Sequence, residues 1–173
     1  ARVCYSSEAK ASMAALIDEA RPEIAHIHNI YHQLSSSVLD AVSDACIPAV
    51  MTIHDYRLLS PNYSLFHDGK NCEQFIRTPL KTIFHRCLKG SLRASLVAAL
   101  ETVLVRRRQT YERVIEKFIV PSRFVFSLFE QSCLFDMRRF TALPHFIDTR
   151  KYRPEYTVGE GVAYVGRLSP EKG

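Results

Sequence analysis

The feature that most narrows the fold is a repeated change of hydrophobic period. Short apolar runs, "EIAHIH" at 23–28, "AVMTIH" at 49–54, "KFIVP" at 117–121, "FTALPH" at 140–145 and "VAYVG" at 162–166, are separated by stretches of helical spacing. Short apolar runs without clean polar alternation suit strands buried on both faces, and strands that alternate with helices pair in parallel. The expected class is therefore α/β: a Rossmann-like parallel sheet with helices on both faces.

Residues 7–20, "SEAKASMAALIDEA", cluster Ala11, Ala14, Ala15 and Ile17 away from Glu8, Lys10, Asp18 and Glu19, with Ser7 as the expected N-cap and Arg21-Pro22 as the break. Residues 35–46 put Val38, Leu39, Val42 and Ala45 on one face. The longest helix is expected over 91–114, with Leu92, Leu96, Leu100, Val103 and Leu104 as its apolar stripe, and another over 122–133. Residues 55–89 follow neither period and are rich in aromatics, proline and polar groups; a stretch of that length in a compact domain is expected to be a functional excursion. Four of the six glycines fall in the last fifteen residues, after the Pro154 region. The expected organisation is one domain over 1–147, a linker over 148–160, and the first strand and turn of a second domain over 161–173.

Hydrophobic residues at 47% supply a sizeable core, and 24% charged residues are ordinary for a globular chain. No apolar run approaches the roughly 18 residues of a membrane-spanning helix. The first residue is Ala1, and no charged-then-apolar leader follows it, so no secretory signal is expected. Five scattered cysteines suggest free thiols in a reducing compartment. A net charge of +5 is compatible with an anionic membrane, a nucleic acid or a phosphorylated small molecule. Nucleic acid is not the expected partner, because no basic–aromatic alternation accompanies the charge.

Parallel sheets bind ligands where their strands deliver their carboxyl ends. The groups there are His28-Asn29, His54-Asp55, Pro121-Ser122 and Pro144-His145. In "HIHNIYH", His26 and His28 share one strand face and His32 returns from the next turn; structural or substrate-contacting roles are expected, not metal ligation, with His26 a hydrogen-bonded core histidine. His54 can donate to a sugar hydroxyl or phosphate oxygen, or move a proton near neutral pH. The other reading of His54, as a cap on its strand, stands beside it. Arg106, Arg107 and Arg108 read as a solvated helix end, with attraction to anionic lipid as the alternative. In "VGRLSPEKG", Gly166, Arg167 and Lys172 surround a turn that suits a diphosphate, with an exposed basic loop as the alternative.

Six segments in register, "PEIAHIHNIYHQLSSSVL", "IPAVMTIHDYRLLSPNY", "HRCLKGSLRASLVAALE", "FIVPSRF", "LPHFIDTRKYRP" and "VGRLSPEKG", resemble the family 4 glycosyltransferases. These are retaining, nucleotide-sugar-dependent enzymes of GT-B architecture, and the resemblance runs from Pro22 onward. It implies an acceptor-side amino-terminal domain facing a donor-binding domain across a cleft. By that resemblance Arg167 and Lys172, beside Gly166, hold the donor diphosphate, and His54 lines the catalytic cleft. His28, Asn29, Tyr31 and His32 lie on the acceptor side. The partners implied are a nucleotide sugar and a glycan or lipid-linked acceptor, with no metal or cofactor, in the cytoplasm or at the inner face of the cell membrane. The family's first strand, Gly-rich loop and E-x7-E carboxylates have no counterpart, and His145 replaces a common asparagine. The chain is accordingly expected to be a fragment, inactive as it stands; the rival expectation is a non-catalytic binding or membrane-surface module.

Overall fold

The computed structural model describes residues 5–88, 90–157 and 159–169, without the side chains of His32 and Gln33. The elements run α1 (Ser7–Ala20), β1 (Ala25–Ile27), α2 (Tyr31–Leu34), α3 (Ser37–Asp44), β2 (Ala49–Thr52), β3 (Phe66–His67), β4 (Lys70–Asn71), α4 (Gln74–Arg77), α5 (Lys81–Phe84), α6 (Leu92–Arg108), α7 (Thr110–Val114), β5 (Ile115–Val120), α8 (Arg123–Ser132) and β6 (Phe140–Ala142), the last preceded by one 3-10 turn. The main sheet has four strands in the order β1-β2-β5-β6, all parallel. This is the α/β, Rossmann-like class expected from the alternation of periods.

Each step from β1 to β6 moves the same way across the sheet, and helices flank it. Burial along the strands is uneven. Ile27, Met51, Phe118 and Phe140 are buried, whereas of the alternate residues His26, Lys117 and Thr141 are exposed, Val50 and Ile119 half-buried and Thr52 buried. Phe118, Phe129, Phe135 and Phe140 form one aromatic cluster under α8, with Phe118 and Phe140 stacked at 4.6 Å. Buried rings of this size dominate core energetics.

Local signals set the helix ends. Ser6, not Ser7, caps α1: its hydroxyl accepts from the Ala9 N–H at 3.2 Å. Ser6 is also the residue tied to the start of α3, through Ser35 and Ser37, which fixes its geometry as the cap. Arg21, left-handed at φ 46°, closes the helix before Pro22. The helix expected over 91–114 breaks at Gln109, also left-handed, into α6 and α7.

The apolar stripe expected on α6 faces outward. Of the expected positions Leu92, Leu96, Leu100 and Leu104 are each 39–48% exposed and Val103 is half-buried, while Ser95, Ala98, Ala99, Glu101 and Thr102 are buried. Helical spacing fixes the period of such a pattern but not which arc packs. Here close packing against neighbouring helices selects the small residues.

Residues 55–88 form a packed excursion: Leu58, Leu59, Leu65 and Ile76 join the main core, and β3 and β4 make a short hairpin. The run 162–166 forms no strand, and Val162, Val165 and Leu168 are exposed. A strand requires a partner for its N–H and C=O groups, and none of the described strands pairs with this run.

Candidate functional site

The parallel strands bring four histidines to one edge. β1 carries His26 and leads directly into His28; β2 runs through Ile53 into His54; β6 leads through Leu143-Pro144 into His145. The strand register continues beyond the ladders, since the Ile53 N–H donates to the Ile119 carbonyl and the Leu143 N–H to the Val120 carbonyl. His28 Nδ1 and His54 Nε2 share a hydrogen bond of 2.7 Å. The His26 and His28 rings lie 4.4 Å apart, His28 and His54 5.0 Å, and His54 and His145 stack at 5.9 Å with 13° between planes.

His26 is not a core histidine. It is exposed, and its Nε2 shares a 2.8 Å hydrogen bond with Thr52 Oγ1. The residue pairing that aligns β1 with β2 puts it there instead of among the apolar side chains on the other face. His54 titrates below the ordinary histidine range, first because it is partly desolvated, then because a charge on it is opposed by His28 and His145; Asp55 pulls the other way. His26 is lowered by desolvation and then by His28.

Asn29 is exposed beside His28, but Tyr31 turns inward and is 7% exposed. Its ring lies 6.4 Å from that of Tyr111, and burial pushes both phenols up. Both line a small pocket with Arg57, Glu101, Arg106 and Phe135. It offers about 20 Å³, room for water beside the otherwise unpartnered Tyr31 hydroxyl and Arg106 Nε.

Arg106 is not part of a solvated basic run. It is half-buried and donates to the Ile76 and Leu59 carbonyls at 3.0 and 2.6 Å, holding the excursion to α6; Arg107 and Arg108 are exposed. Arg57 holds the same excursion from inside, donating to the Pro61 carbonyl at 2.6 Å and pairing with Glu101.

The chain matches no family model, and neither a curated protein nor a solved structure matches it.

Gly166 and Arg167 lie in an exposed turn closed by the Tyr164 hydroxyl, which donates to the Arg167 carbonyl at 2.7 Å. Lys172 and the side chain of His32 lie outside the described residues. Among the described residues, no group of three or more His, Cys, Asp or Glu is arranged to hold a metal ion, and no helix is long and apolar enough to cross a membrane. Cys46, Cys72, Cys87 and Cys133 are free thiols.

Sequence reasoning treated the histidines one by one and missed the contacts that join His26 and His145 to the pair His28–His54. The available signal was positional. His26 and His28 share a strand face by the period of two, and three separate strand ends each deliver an imidazole. The anchors Arg57 and Glu101 carried no such signal, because residues 44 apart meet only through packing.

Proposed function

We propose that the chain is the acceptor-side part of a retaining glycosyltransferase, which moves a sugar from a nucleoside diphosphate to a glycan or lipid-linked acceptor. One observation supports this above the rest: His54 stands at the carboxyl edge of a parallel sheet, in contact with His28, where a ligand crevice belongs in this fold class. In this reading the bond from the anomeric carbon to the diphosphate breaks and a new bond forms to the acceptor oxygen on the same face. The acceptor proton leaves with the diphosphate.

Arg167 and Lys172 act on the leaving group, since cations held in a water-poor cleft stabilise charge that develops in the transition state. His54 lines the sugar's position. His28 and Asn29, both exposed, face the acceptor together with His32. Tyr31 serves as an inner wall behind them, not as a contact. No metal enters the reaction as proposed, and the site of action is the cytoplasm.

The experiment is a transfer assay with a panel of nucleotide sugars on the longer protein of which this chain would be a piece. Arg167→Ala or Lys172→Ala is expected to lower kcat/KM by roughly 10- to 150-fold, from the loss of about 1.5–3 kcal/mol of charged hydrogen bonding. Unchanged kinetics would remove the assignment.

A second reading has a specific observation in its favour. The outward arc of α6 interleaves Leu92, Leu96, Leu100 and Leu104 with Arg93, Arg107 and Arg108, all exposed. A basic amphipathic face of this kind suits an anionic bilayer surface. Sedimentation with vesicles rich in an anionic lipid tests it, with Arg107→Gln plus Arg108→Gln expected to cost about 1 kcal/mol per charge. Binding unaffected by those changes and by Leu96→Ser with Leu100→Ser would exclude the face.

A further inference from the structure

We propose that His26, His28, His54 and His145 form a binding site for a phosphate-bearing anion that is taken up together with a proton. The geometry of the central pair carries the argument. With His28 Nδ1 and His54 Nε2 2.7 Å apart, one nitrogen donates and the other must present its lone pair. The two therefore cannot both carry protons while that bond lasts. An anionic oxygen set beside them changes the balance: both nitrogens become N–H donors to it, and the N···N bond is released. The ring that had accepted gains its N–H either by moving the proton from its other nitrogen or by taking one from solvent, the second being favoured by the anion's charge. No other bond is made or broken.

The neighbours favour the same outcome. The groups acting on His54 are His28 and His26 from the β1 run, His145 after β6, and the single carboxylate of Asp55. One Asp55 oxygen already accepts from the Arg57 N–H at 2.9 Å. Three imidazoles against one carboxylate give a site that repels its own protons when empty and holds them when an anion supplies the opposite charge. The rings follow one another at 4.4, 5.0 and 5.9 Å, a row of donors fitted to a group with several charged oxygens, such as a phosphate or diphosphate. Thr52 steadies the first ring through its bond to His26.

The inference shares His54 with the proposed transferase site, but its test uses no sugar. Ring C–H signals of the histidines are followed by NMR while sulfate, whose charge is constant over the window, and then inorganic pyrophosphate are added between pH 8 and 5.5. The titration midpoint of His54 is expected to rise with anion, and affinity to improve about tenfold per pH unit for each proton taken up. His28→Asn and His54→Asn should each weaken binding and flatten that slope, while His67→Asn, in the β3–β4 hairpin, should change neither. Ring signals that ignore pyrophosphate throughout, or a pH slope that survives both edge substitutions, would overturn the inference. Competition by phosphatidate vesicles would assign the phosphate to a lipid headgroup, and its absence to a soluble compound; either is a phosphate ligand. The two proposals share the His54 edge but not their readout: failure of this titration does not decide the transfer assay, which follows Arg167→Ala and Lys172→Ala, and the reverse is equally true.

Discussion

Replacing Glu101 by Ala should be among the most damaging single changes outside the aromatic core. Its side chain is 8% exposed and that of Arg57 4%, so the change leaves a guanidinium buried without its counter-charge. The Pro61 carbonyl accepts from one of its nitrogens, Nη1. Breaking one side of a buried pair costs about 3–5 kcal/mol, whereas exposed pairs are worth about 0–1 kcal/mol. With a urea dependence of about 2 kcal/mol per molar, the unfolding midpoint should fall by roughly 2 M. A double replacement, Arg57→Met with Glu101→Leu, removes both charges and loses the charged hydrogen bond to Pro61, about 1.5–3 kcal/mol, while it no longer has two ions to desolvate. It should therefore lie within about 1–2 kcal/mol of the native chain. Urea titrations of the three proteins, followed by circular dichroism, decide the matter. A Glu101→Ala loss below about 1 kcal/mol would mean that the pair is solvated and that the excursion is held in another way. A double variant as unstable as the single one would refute the charge argument and leave packing as the cause.

Further outcomes follow from the same geometry. Ser6→Ala should cost about 1 kcal/mol by thermal unfolding, whereas Ser7→Ala should cost little, because the Ser6 hydroxyl is the one that accepts the Ala9 N–H. Gln109→Gly should stabilise by roughly 0.5–1 kcal/mol in chemical denaturation, since a left-handed residue costs about 1–2 kcal/mol and glycine's extra unfolded-state freedom offsets part of the gain. Acidification should destabilise the chain through its edge histidines. His26 and His54 titrate below the ordinary value of 6.5 when folded, so the unfolded chain binds more protons there. Their contribution is intact above that value and falls as pH drops from it through the lowered folded values. His54→Asn should make that stretch of the stability–pH curve shallower, read from unfolding midpoints; an unchanged slope would show that His54 is not under the strain described.

Much of the fold was legible in the sequence because its strands and helices are specified locally. The limits of α1 follow from a polar cap, charged positions along the helix and Arg21-Pro22, all inside or directly beside its fourteen residues. The four strands of the sheet were visible as apolar runs, and their alternation with helices was enough to make them parallel. What stayed hidden depends on partners distant in the chain. The phase of α6 is an example: leucines at every fourth position and small residues one step round the helix give the same period. The choice between them depends on how closely the neighbouring helices approach, and on Arg57 making a buried Glu101 tolerable. The unpaired run at 162–166 shows the complementary limit, because an apolar stretch can name a strand but cannot supply its neighbour.

The histidine edge follows the same logic at the level of chemistry. Read singly, His26, His28, His54 and His145 each have a plain structural role open to them. Side by side, they constrain one another: the hydrogen bond between His28 and His54 requires one bare nitrogen, and a charge on either ring is opposed by the next. That coupling arises from strand order, since β1 and β2 are neighbours and β6 stands on the far side of β5, close enough for the ring after it to stack on His54. A different order of the same strands would scatter the same four residues. The property that makes this edge a candidate site therefore belongs to the topology of the sheet, and single-residue motifs along the chain could not have carried it.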